Sequence, residues 1–217
     1  MDYTEIIANL ATVATVINFA SGVEICYKIY RQNSTVDCTP APFMMGMLCS
    51  FLWFQYGIRK PDMTVTSVNV FGFTLWTAFL FWFYLYSKPK SHLNTHIGIL
   101  LIVIFGTHFL LFYGLEDVDT ALKVAGYMGV ISSLAYFASP LLLLAKVLQT
   151  RCSQCLPLPL IVSSFCTASL WTLYGLLRED SFIVVPNGIA SVITSSQLFL
   201  ICIFPRKPQG DLTRLVI

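Results

Sequence analysis

One block of sequence occurs twice. Leu52-Trp53-Phe54-Gln55-Tyr56-Gly57, followed by Asp62 and Asn69, is answered by Leu170-Trp171-Thr172-Leu173-Tyr174-Gly175, followed by Asp180 and Asn187, each copied residue 118 positions after its twin. The register continues upstream, where Phe19-Ala20-Ser21-Gly22 answers Phe137-Ala138-Ser139-Pro140 and Lys28 answers Lys146. A constant offset of this kind marks a duplicated structural unit, so any fold for this chain must build the same piece twice.

Composition says what the piece is made of. Of 217 residues, 56% are hydrophobic and 11% charged, where a soluble domain carries about 25% charge. Seven apolar stretches, roughly 6–30, 40–59, 63–87, 96–115, 121–148, 156–178 and 181–204, approach the ~20 residues a helix needs to cross a bilayer core. The first follows Asp2 and Glu5 and lacks the basic start and cleavage site of a signal peptide, so it is expected to be retained.

Three of the stretches fall in each repeat. The fourth, with Ile97-Gly98-Ile99-Leu100-Leu101-Ile102-Val103-Ile104-Phe105, has no counterpart and reads as a linker facing lipid. Because three is odd, a fourth crossing is needed before the second unit can point the same way as the first. The expected fold class is an all-α membrane protein with seven transmembrane helices, two parallel three-helix bundles joined by a linker helix (3+1+3). Residues 1–92 form the first bundle, 93–117 the linker helix, 118–206 the second bundle and 207–217 a cytosolic tail. His96 and His108 on the linker read as isolated, with no acidic neighbour on their face, and are given no role.

Lysine and arginine collect on the cytosolic side of membrane proteins. With the N-terminus outside, Lys28, Arg31, Lys88, Lys90, Lys146, Arg151, Arg206, Lys207 and Arg214 fall inside, and Arg59, Lys60, Lys123 and Arg178 outside. That excess sets the expected orientation, N-terminus out and C-terminus cytosolic; the membrane is expected to be the plasma membrane, with a Golgi membrane as the alternative. The sequon Asn33-Ser34-Thr35 then lies in the cytosol and stays unmodified. The net charge of +2 hides a sided distribution and points to no nucleic-acid partner. Homo-oligomerisation is left open.

Cys152-x-x-Cys155 has neither a second pair nor a histidine to complete a metal site, and four of the other cysteines sit inside expected helices. No phosphate loop and no nucleophile–base arrangement occurs, so no cofactor is expected and the chain is not read as an enzyme.

The chemistry falls to polar groups at membrane depth. Asn69 and Asn187 lie within apolar runs, where an amide turns toward the bundle interior or a water-filled cavity. At equivalent positions of two repeats they would converge on the axis between them. With two donors and an acceptor, an amide suits a neutral ligand covered in hydroxyls, such as a sugar. Trp53 and Trp171, one turn before the twinned glycines, could stack on the C–H face of a pyranose. Trp76 and Trp82 have no twin and are assigned to lipid or core. Pro42, Pro140 and Pro157 lie on the cytosolic side of their helices and read as hinges, Pro42 and Pro157 equally as helix starts.

Trp53-Phe54-Gln55-Tyr56-Gly57 with Asn69, Phe137-Ala138-Ser139-Pro140, and Trp171-Thr172-Leu173-Tyr174-Gly175 with Asp180 and Pro186-Asn187-Gly188 resemble the SWEET family of sugar uniporters, its animal members above all, over about residues 5–205. The resemblance implies two triple-helix bundles, a linker helix, and facilitated, bidirectional transport of mono- and disaccharides, most of all glucose. It implies a midplane pocket in which Asn69 and Asn187 bond the sugar and Trp53 and Trp171 flank it. It further implies an extracellular gate that includes Tyr56 and Asp180, and a cytosolic hinge ring of prolines. The family's proline in helix one is absent, Gly22 taking its place beside Pro42, Pro140 and Pro157.

Glu24, two residues beyond Gly22, is an acid in a helix otherwise almost uncharged. It reads as an ion pair with Lys28 at i+4. The alternative function is a proton-coupled PQ-loop carrier of amino acids or another small solute, for which Glu24 could hold the proton. No Pro-Gln pair stands at a loop-to-helix junction, Pro208-Gln209 being in the tail. A seven-helix receptor would share the topology but not the three-helix duplication.

Overall fold

The computed structural model describes residues 2–206, the side chains at 138 and 139 excepted. The tail 207–217, with Lys207, Arg214 and Pro208-Gln209, lies outside the described residues. Within them the chain is helical throughout: α1 Tyr3–Gln32, α2 Ala41–Arg59, α3 Met63–Tyr86, α4 Ser91–Phe109 with a π-helical turn Leu110–Gly114, α5 Val118–Tyr136, α6 Ala138–Thr150, α7 Leu158–Leu177 and α8 Ser181–Ile203. Counting α5 with α6, seven spans among the described residues are long and apolar enough to cross a membrane, one at each expected stretch. The largest displacement is at the fourth, which starts at Ser91 rather than 96.

By contacts the chain divides into two compact units, Ala8–Ser133 and the pair of segments Met1–Ile7 and Leu134–Ile217. The first is built on Phe43, Trp76, Phe79 and Phe83, whose rings meet at centroid distances of 5.7 to 6.3 Å. Ile29 of α1 and Leu93, Leu100 and Ile104 of α4 close this core. The linker is thus docked along one face, while Ile99, Ile102 and Phe105 on its other face are exposed, as lipid-facing residues are. A smaller core in the second unit joins Val147, Leu156, Ile161 and Leu200.

Helix starts follow from proline. Pro40 is the N-cap of α2 and Pro42 its second residue; Pro157 is the N-cap of α7 and Pro159 its second residue. These positions accept a residue without an N–H because no intrahelical bond is due there. Helix position therefore pairs Pro42 with Pro159 and Pro40 with Pro157, an offset of 117, one less than in the tryptophan block. At α5 the turn onto the helix is held by the Thr120 hydroxyl and N–H, which both donate to Asp117. These donors, the hydroxyl foremost, hold that carboxyl below its usual range.

The repeats differ most at Gly22 and Pro140. Pro140 has no N–H for the carbonyl of Tyr136, and the span divides there into α5 and α6, with a tight turn at Phe137 (φ −81°, ψ −3°). At Gly22 α1 runs on unbroken. A Cβ at residue 22 would stand 2.3 Å from Cε2 of Phe79, so the ring of Phe79 occupies the space that any side chain here would need.

Candidate functional site

The copied block folds twice into the same helical hairpin, and its glycine, aspartate, asparagine, tryptophan and tyrosine make matching contacts in each copy. A Cβ on Gly57 would stand 2.9 Å from the backbone nitrogen of Thr66, and one on Gly175 3.0 Å from that of Val184. Only glycine lets α2 approach α3, and α7 approach α8, this closely. Asp62 caps α3 by accepting the Val65 N–H at 3.0 Å. Asp180 caps α8 by accepting the N–H groups of Phe182 at 3.0 Å and Ile183 at 3.3 Å. Both carboxylates are buried, at 3% and 2% exposure, and both face the partial positive charge of a helix N-terminus.

One turn further on, Asn69 Nδ2 donates to the carbonyl of Val65 and Asn187 Nδ2 to that of Ile183, each at 2.8 Å. The carbonyl that holds each asparagine belongs to the residue whose N–H the aspartate caps. Each amide is half-buried, and its oxygen and second N–H have no partner among the described residues. What each presents is one acceptor and one donor, the complement of a hydroxyl.

The aromatic pair is copied as closely. Trp53 and Tyr56 meet at 5.5 Å and 86°, Trp171 and Tyr174 at 5.4 Å and 86°, the edge-to-face arrangement favoured by ring quadrupoles. Tyr56, Tyr174 and Trp171 are buried and Trp53 is half-buried. Trp76 belongs to the core, and Trp82 is tied by its Nε1–H to the carbonyl of Cys26 at 3.2 Å.

Pro42 and Pro157 stand at helix starts and Pro140 where a span divides, while Pro186, directly before Asn187, lies inside α8. Opposite Pro140, Gln197 Nε2 donates to its carbonyl at 3.2 Å. Gln197 is the twin of Phe79, and Pro140 the twin of Gly22. The same contact is therefore made by a ring on a glycine in one repeat and by an amide on a proline carbonyl in the other.

Two expectations are corrected. Lys28 Nζ lies 3.5 Å from the carbonyl of Asp37 and forms no ion pair with Glu24 among the described residues; Glu24 is exposed. His108 is not isolated: its Nδ1 lies 3.2 Å from Gln55 Nε2, and its ring packs at a tilt of 39° against Phe112. Arg59 donates to Gln55 Oε1 at 2.8 Å and lays its guanidinium over Phe112. Since arginine only donates, the Gln55 NH₂ faces His108, whose Nδ1 must accept. Gln55, 1% exposed, was passed over in the sequence, although its twin is Leu173 and that of Arg59 is Leu177. A polar residue whose twin is apolar was the signal, since its partner His108 lies on α4, which the offset of 118 does not copy. Gln197 could have been found by the same signal. Ser133, which accepts the Trp53 indole N–H at 3.0 Å, had none.

The family described as "sugar efflux transporter for intercellular exchange" matches the chain twice, over residues 5–91 and 123–209, again with a spacing of 118. The chain is 31% identical to the sugar transporter SWEET1 of Drosophila pseudoobscura pseudoobscura over 214 residues, covering 98% of this chain and 95% of that protein. It is 29% identical to the sugar transporter SWEET1 of Xenopus laevis over 208 residues, covering 96% of each. Among solved structures, that of a eukaryotic SWEET transporter superposes with a TM-score of 0.85 at 22% identity, covering 92% of this chain and 95% of that one, which shows a shared fold.

Proposed function

We propose, for a chain that belongs to the SWEET family of sugar transporters and is not an enzyme, that it passes mono- and disaccharides, glucose first, down their gradient in either direction by alternating access. One observation carries this: two asparagines at twin positions, each tied by one N–H to a carbonyl of its own helix at 2.8 Å and each keeping an acceptor and a donor for a ligand. Such a pair recognises hydroxyls and holds no fixed charge, which suits a neutral sugar.

In this proposal the triple-helix bundles 1–92 and 118–206 rock about a site where Asn69 and Asn187 bond the sugar and Trp53 and Trp171 flank it. Tyr56 and Asp180 belong to the extracellular gate. Gly22, Pro42, Pro140 and Pro157 form the cytosolic hinge, with most of the bending at Pro140, where the span is already divided. The N-terminus is outside and the C-terminus cytosolic, in the plasma membrane or the Golgi.

The test is uptake of radiolabelled glucose into proteoliposomes with and without a pH gradient. Uptake is expected to be equal in the two cases, and Asn69→Ala and Asn187→Ala each to raise KM by about tenfold, the worth of one hydrogen bond to a ligand. Uptake that needs the gradient and is lost in Glu24→Gln would replace this proposal by proton coupling.

A further inference from the structure

The Trp53 indole is seated by a helix from the other repeat. Its Nε1–H donates to Ser133 Oγ on α5 at 3.0 Å. One turn earlier on α5, a Cβ on Gly129 would stand 3.2 to 3.4 Å from Cε2, Cδ2 and Cζ2 of the indole. Three neighbouring ring atoms at nearly one distance place Gly129 over a face of the ring, not at its edge. Cys49, one turn before Trp53 on α2, brings its Sγ to 3.8 Å from the same hydroxyl, and Tyr56 meets the indole at right angles. An indole has a single polar group and that group only donates, so the Ser133 hydroxyl uses all the hydrogen-bonding capacity Trp53 has.

We propose that Ser133 and Gly129 are positioning residues that keep the Trp53 N–H away from the substrate and turn a bare ring face toward it. Resting on the reading of Trp53 as a residue flanking the sugar, this assigns recognition at that point to the C–H face of a ring. A pyranose with equatorial hydroxyls has such a face, and an open-chain hexitol, although it carries one hydroxyl more, does not. A ring held flat discriminates between them; a ring free to swivel, with its N–H exposed to either, discriminates less.

The test uses the full chain in proteoliposomes, with glucose as substrate and an open-chain hexitol as competitor, beside the indole ¹⁵N–¹H spectrum of its four tryptophans. Expected for Ser133→Ala is a KM for glucose raised on the order of three- to tenfold, an unchanged maximal rate, and a narrower preference for glucose over the hexitol. One indole signal, identified by its loss in Trp53→Phe, moves as well. Ser133→Thr restores KM, preference and signal, while Gly129→Ala raises KM with the hydroxyl in place. A Ser133→Ala protein whose indole signal moves while KM and preference stay put overturns the inference and leaves the sugar site intact. Trp53→Ala with unchanged KM instead overturns the placement of Trp53 at the site. If Ser133→Ala does not fold, Gly129→Ala and Ser133→Thr decide: wild-type preference in the first, or a moved signal in the second, sinks the assignment.

Discussion

At the scale of single residues, each position of the copied block braces the next. The glycine admits the neighbouring helix, the aspartate caps that helix, and the asparagine hangs from the carbonyl of the capped residue. Gly57→Ala and Gly175→Ala force backbone against side chain and are expected to cost about 1–3 kcal/mol each. Gly98→Ala, with nothing within 4 Å of its added carbon, gains up to about 1 kcal/mol of helix propensity. Thermal melts of the purified proteins in one detergent check the contrast. Asp180 separates cap from charge: Asp180→Asn keeps the cap and is expected to retain near wild-type stability and uptake, whereas Asp180→Ala loses about 0.5–2 kcal/mol. If the asparagine variant is stable and inactive, the carboxylate charge serves transport directly. None of this bracing was legible in the sequence, which offers a spacing of five between Gly57 and Asp62 but no sign that the turn closes onto Thr66.

At the scale of elements, the seven spans were legible because twenty apolar residues in a row admit few other structures. The division of the fifth span followed from a visible proline. The packing of Phe79 on Gly22 was not legible, since it joins residues 57 positions apart through a space only the folded helices define. It yields a swap. Gly22→Pro alone removes a helical bond and strikes the Phe79 ring, at about 3 kcal/mol or more. Adding Phe79→Gln, the pairing the second repeat uses, is expected to recover part of that loss in the melting temperature, and a double variant no better than the single refutes the equivalence of the two contacts. The linker's docking offers a second check. Gln55→Leu, the residue found at its twin, leaves His108 Nδ1 without its donor and removes one of the Arg59 bonds, though not that to the carbonyl of residue 55, and is expected to destabilise the protein by about 1–3 kcal/mol, measured in the same melts.

At the scale of the whole molecule, the duplication was legible from the constant offset, and the family match reproduces its spacing of 118. Orientation is tested at Asn33, which should carry no glycan in a secretory eukaryotic host; an endoglycosidase-sensitive mass shift would invert the topology. The hairpin bracing also bears on how such a chain can change over time. A residue held by its neighbours turn by turn cannot drift alone, and Gly, Asp and Asn stand unaltered in both copies. Divergence has gone where nothing locks the choice in both halves: Gln55 against Leu173, Gly22 against Pro140, Phe79 against Gln197. Within one polypeptide the two copies need not match at those places, and there each half makes contacts that the other does not.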